Sequence, residues 1–127
     1  MTSPLSHFTL VVPLAAAAIL AACSSSTSSN NPKPAANVLV TSGAASKTVT
    51  AYAPATFTVT LALGGKVTWR NDDNVTHTAT DTAAAPTFST GNLTPGDTTS
   101  VVFTTAGTYG YHCTIHPGMV GTIIVNP

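Results

Sequence analysis

An all-β sandwich is the fold class this sequence predicts, and three observations carry the prediction. Apolar residues recur at every second position in the run Phe57, Val59, Leu61, Leu63, alternating with Thr56, Thr58, Thr60 and Ala62. Further β-branched or aromatic runs follow, separated by turns rich in Gly and Pro. Beyond residue 22 no stretch carries a helical period. Several short, half-buried strands at this spacing imply two antiparallel sheets packed face to face.

Taken in order, the chain opens on a leader. Leu10 to Ala22 is almost wholly apolar, interrupted only by Pro13. That is short for a membrane span of about 20 residues but suits the apolar core of a secretory signal. It closes on Leu20-Ala21-Ala22-Cys23, which resembles the lipobox of bacterial lipoproteins. The resemblance implies a signal peptide over residues 1–22, cleavage, and lipid on Cys23. A plain secretory signal or an uncleaved anchor is the other reading, and Met1 to Thr9 holds no Lys or Arg. Residues 23–37 are dominated by Ser, Asn and Pro and read as a flexible tether. The folded domain is expected over residues 38–127. Within it Val67 and Trp69 continue the alternation after Gly64-Gly65, which reads as a hairpin turn. Asp72-Asp73-Asn74 reads as another turn. Thr99–Thr104, Thr108–Cys113 and Gly121–Val125 are the remaining strands, punctuated by Thr94-Pro95-Gly96-Asp97 and Ala106-Gly107. Trp69 is expected to anchor the core.

Charge narrows the partners. Four Lys and Arg balance four acidic residues among 127, for a formal net of zero. No basic stripe exists to follow phosphates, so nucleic-acid binding has no electrostatic footprint. Docking surfaces are expected to be apolar.

The chemistry is concentrated near the C-terminus in Cys113-x-x-His116-x-x-Met119, with His77 upstream. One thiolate, two imidazoles and one thioether make the ligand set of a mononuclear blue-copper site, in which a weak, long Met bond completes a His₂Cys plane. Cysteine usage agrees. An exported chain favours disulfides, yet there are only Cys23 and Cys113; with Cys23 lipidated, Cys113 has no partner and metal ligation explains it. Zinc also accepts His₂Cys, but copper outranks it in intrinsic affinity and a thioether adds little to a zinc site. His112, beside Cys113 on a strand, should point away from the metal; it reads as a capped surface or interfacial residue. His77, His112 and His116 are the only histidines after the leader, too few for a second copper centre. No Ser/His/Asp or paired-carboxylate arrangement is readable, so no enzyme activity is expected.

Three stretches carry a family resemblance: Lys66-Val67-Thr68-Trp69-Arg70-Asn71 followed by His77; Phe103 with Gly107-Thr108-Tyr109; and Tyr111-His112-Cys113-Thr114-Ile115-His116-Pro117-Gly118-Met119-Val120-Gly121. Together they resemble plastocyanin-type cupredoxins, and the two-residue gap between His116 and Met119 is similar to the short ligand loop of amicyanin. The resemblance implies a Greek-key antiparallel β-sandwich holding one type 1 copper. It assigns His77, Cys113 and His116 as equatorial ligands and Met119 as the axial one. It further implies a protein that shuttles single electrons between transient redox partners, expected to be a monomer; the lipobox resemblance adds a place in the cell envelope, periplasmic or otherwise extracytoplasmic, held to the membrane by the lipid on Cys23. Partners would dock around His116, on an edge ringed by Ile115, Pro117 and Met119. Two positions depart from the family pattern: Thr78 stands where Asn is frequent, and Ile115 where Pro is frequent. The competing reading is an envelope copper carrier or buffer. Such proteins more often use Met- and His-rich sites, and beyond the leader this chain has Met119 alone.

Overall fold

The computed structural model describes residues 32–127. The expected signal peptide, Cys23 and the first part of the tether lie outside the described residues. Among the described residues eight strands form two four-stranded sheets. The first contains β1 (Val38–Val40), β2 (Tyr52–Ala53), β4 (Lys66–Asn71) and β6 (Thr98–Val102), in the order β2-β1-β4-β6. The second contains β3 (Thr56–Thr60), β5 (Thr80–Asp81), β7 (Gly107–His112) and β8 (Val120–Asn126), in the order β3-β8-β7-β5. The chain passes from one sheet to the other at every connection from β2 to β7. Among the described residues no helix is long and apolar enough to cross a membrane.

The sandwich is the one the period of two predicts, with a refinement in its pairing. Most neighbours are antiparallel, but β1 runs parallel to β4 and β3 runs parallel to β8. Alternation places Val67, Trp69 and Asn71 of β4 inward, with Lys66 exposed and Thr68 and Arg70 half-buried. Val38 and Val40 from β1, Tyr111 from β7, and Ile123 and Val125 from β8 meet them. Trp69 is fully buried, stacked on Phe88 at 5.8 Å and edge-on to Tyr111 at 5.8 Å. The expected core anchor is where the alternation puts it. Tyr111 in turn lies over Gly121 so closely that a Cβ there would stand 2.4 Å from the ring.

The alternating run ends earlier than expected. β3 stops at Thr60, and Leu61–Leu63 form a 3₁₀ turn that leaves Leu63 86% exposed. Gly64-Gly65 is not a hairpin turn, because β3 and β4 belong to different sheets. The crossing needs left-handed backbone, and both glycines supply it with φ of 92° and 59°. The end of the expected tether is held, too. Asn37 exchanges two hydrogen bonds with Thr68, Lys33 pairs with Asp72, and the Arg70 guanidinium donates to the Pro34 carbonyl.

Candidate metal centre

The centre sits where β7 turns into β8 and where the chain leaves β4. Antiparallel pairing of His112 with Val120 closes residues 113–119 into a short loop. Within it the Cys113 N–H donates to the Met119 carbonyl at 3.1 Å, and the Met119 N–H donates to the His116 carbonyl at 3.0 Å. Cys-x-x-His-x-x-Met is therefore the sequence of one wound turn, with its backbone tied to itself. A Cβ at Gly118 would meet nothing within 4 Å, so that side of the turn faces open space.

His77 arrives on a different support. Its backbone N–H and carbonyl both bond to Leu93, at 3.1 and 2.8 Å. The residues leading to it are stitched by Asn71, whose side-chain amide donates to the Val75 and Leu93 carbonyls and whose side-chain oxygen accepts from the Asp73 N–H. His77 is wholly buried.

These supports bring three of the four predicted residues to one point. Cys113 Sγ lies 3.8 Å from Nδ1 of His77 and 3.8 Å from Nδ1 of His116, and the two Nδ1 atoms are 3.2 Å apart. A point equidistant from the corners of that 3.2 × 3.8 × 3.8 Å triangle lies about 2.1 Å from each, close to ordinary metal–nitrogen and metal–sulfur bond lengths. The donor set and its spacing fit a copper ion. Among the described residues this is the one cluster of three or more His, Cys, Asp or Glu side chains able to hold a metal. Met119 is fully buried, below the surface and not on the rim where the sequence reading put it. Its backbone is bonded directly to Cys113 and to His116, and its apolar thioether is drawn inward with the core. The exposed edge consists of Ile115, Pro117 and Gly118 around a half-buried His116, with Val75 nearby in sequence to His77 and also exposed.

The Cys113 sulfur is braced from the His77 side. Thr78 donates its N–H to Cys113 Sγ at 3.3 Å. Its hydroxyl accepts from the Thr114 N–H at 2.9 Å and bonds the Thr114 hydroxyl at 3.1 Å. Thr78 thus ties the two ligand-bearing segments together despite departing from the family's Asn. Its carbonyl accepts from the Tyr52 hydroxyl at 2.5 Å. Burial, then the nearby Cys113 and Tyr111, push the Tyr52 phenol far up, so it remains a donor. Burial likewise pushes Tyr111 up to about 12.

Sequence reasoning missed Asp73. Read as part of a turn, it is a buried carboxylate whose Oδ2 lies 2.9 Å from Nε2 of His77. It also accepts from the N–H groups of Gly43, Ala44 and Asn74. Burial raises its carboxyl, but Gly43, the His77 ring, Asn74 and Ala44 outweigh that and hold it well below the usual carboxylate range. The only signal in the sequence was an acid four positions before a candidate ligand. His112 is half-buried, and its Nδ1 has no partner among the described residues.

A β-sandwich carrying a His–Cys–His triangle and a buried Met at one end is the architecture of a type 1 copper protein. Residues 19–126 match the family described as copper binding proteins, plastocyanin/azurin family, and the chain belongs to that family. Among solved structures it is similar to a purple cupredoxin from Nitrosopumilus maritimus, with 30% identity over 72% of this chain and 100% of that one and a TM-score of 0.64. An oxidized mutant of amicyanin is 26% identical over 76% of this chain and 87% of that one, at a TM-score of 0.57. The copper-containing nitrite reductase from Thermus scotoductus is 26% identical over 71% of this chain at a TM-score of 0.55, but the chain spans only 22% of that enzyme. No curated protein sequence matches the chain. The cofactor is one type 1 copper ion.

Proposed function

We propose that this cupredoxin is an electron-transfer protein, with His77, Cys113 and His116 as its strong copper ligands and Met119 as the weak fourth. When bound, copper supplies a one-electron Cu(II)/Cu(I) couple. The chain supplies the rest. The observation that carries the reading is the triangle itself, already set at bonding distances by backbone hydrogen bonds on both sides. Donors held this way need not move when the charge at their centre changes, which keeps reorganisation small. Cys113 and His77 are sealed from water, whereas His116 reaches the surface between Ile115 and Pro117. A redox partner would dock transiently on that apolar edge, and one electron would pass through the His116 ring without a proton.

The nitrite reductase likeness does not extend to a second metal in this chain, since His112 is the only histidine beyond the leader left after the two ligands. We read the protein as a carrier of electrons and not an enzyme. We also read it as a monomer anchored in the bacterial cell envelope through lipid on Cys23, on the strength of the Leu20-Ala21-Ala22-Cys23 motif.

The test is the visible and EPR spectrum of the full chain loaded with Cu(II). An intense thiolate-to-copper band that bleaches reversibly on reduction, and that is lost in Cys113→Ser, is the expected result. Copper bound without that band would overturn the assignment and favour a copper carrier. For the anchor, mass spectrometry of the mature protein should find an N-terminal acylated Cys23; an unmodified terminus elsewhere would refute it.

A further inference from the structure

We infer that Asp73 is a positioning residue of the copper centre, one that fixes which face His77 presents and biases the site toward the more highly charged metal. The inference rests on His77 being a copper ligand, as proposed above, and goes beyond that reading by assigning a residue no ligand motif contains.

An imidazole can offer either nitrogen to a metal, and the hydrogen bond at the other nitrogen decides which. Here Asp73 Oδ2 stands 2.9 Å from Nε2 of His77, and both side chains are buried. A carboxylate can only accept, so Nε2 must carry a proton, and in the neutral ring Nδ1 is the nitrogen left with a lone pair. That lone pair is the one facing Cys113 Sγ and the Nδ1 of His116. Asp73 is itself immobilised. Gly43 and Ala44 donate to its two oxygens at 2.9 Å each, and Asn74 donates at 2.8 Å. The turn at residues 43–44 is thereby a fixed buttress for a ligand more than thirty residues later.

The same contact has an electronic effect. A negative charge shared with the far nitrogen makes the imidazole a stronger donor, and a buried anion near the site favours Cu(II) over Cu(I). His116 has no carboxylate in reach: the chain's acidic residues are Asp72, Asp73, Asp81 and Asp97, and none bonds its ring. The two imidazoles are therefore unequal donors.

Asp73→Asn keeps the size and one acceptor oxygen but removes the charge. In the full chain it should weaken Cu(II) binding about tenfold or more relative to Cu(I), measured by chelator competition in each oxidation state. A tenfold change in that ratio is a rise in potential of about 59 mV for one electron. An unchanged ratio and potential, with only the stability of the copper-free chain reduced, would make Asp73 a structural clamp and overturn the inference. Should the variant fail to fold, nitrogen NMR of the Cu(I)-loaded wild type decides. A slowly exchanging proton on Nε2 of His77 is expected, and a proton on Nδ1 refutes the assignment. A wild type without the blue-copper band would instead defeat the ligand reading itself, so the two failures are distinguishable.

Discussion

His77 and His116 offer the same nitrogen to the same point, yet the chain treats them as different kinds of part. His77 is wholly buried, its backbone is paired twice to Leu93, and its ring is held by Asp73. His116 sits half-exposed at the crest of a seven-residue loop, with Ile115 and Pro117 open to solvent on either side. One imidazole belongs to the scaffold and the other to the surface. The difference teaches that a metal site can be rigid and accessible at once if the two properties are given to different ligands.

Removing each ring in turn tests this most severely. In His77→Gly the copper-free chain should lose about 3 kcal/mol or more, because a buried cavity opens and Asp73 loses a partner. His116→Gly should cost within about 1 kcal/mol, as surface changes do. Urea unfolding measures both. Added imidazole should restore the copper spectrum of His116→Gly, whose gap faces solvent, and not that of His77→Gly. Equal rescue of the two would break the distinction.

A smaller effect is expected at Gly121, under the loop that carries Cys113. Gly121→Ala would press a Cβ to 2.4 Å from Tyr111, two residues before the ligand. Such overpacking costs about 1–3 kcal/mol and should broaden the copper spectrum by displacing the strand end. A melting temperature equal to wild type would show that the ring has room the structure does not reveal.

Smaller again is Thr78→Val, which keeps the N–H to Cys113 but removes the hydroxyl bonded to Thr114. A loss of about 1 kcal/mol is expected, with faster hydrogen exchange at the Thr114 amide. Unaltered exchange there would mean the two ligand segments are not joined through Thr78.

The smallest concerns Asp72, the outward-facing neighbour of Asp73. Arg70, ahead of Lys33, holds its carboxyl down at about 2 from an ordinary 3.8. The unfolded chain therefore binds the extra proton first. The stabilisation is complete above about pH 4, and it fades as pH falls toward the folded value near 2. Asp72→Asn should remove under about 1 kcal/mol at neutral pH and flatten the urea midpoint across that window. A large loss at neutral pH would place Asp72 with the buried side of the comparison.

Legibility followed sequence distance. Cys113, His116 and Met119 were readable because one loop holds all three and ligand chemistry restricts the residue types. His77 was readable through the residues around it. The sandwich was readable because alternation is local, as Val67 and Trp69 show. What depended on remote pieces was not. The parallel pairings of β1 with β4 and β3 with β8 join strands with no turn between them. Leu63 kept the alternation but sits on a sheet-to-sheet crossing, where the next strand's destination overrides the period. Asp73 looks like any loop acid until Gly43 and Ala44, about thirty residues earlier, are folded against it.

β8 brings one further consequence. It does not lie at an edge of its sheet but between β7 and β3. β3 has no other neighbour in its sheet, so it can join β7 and β5 only once residues 120–126 are in place. The strand that takes over from the copper loop after Met119 is thus the same one that ties β3 to β7 and closes the second sheet.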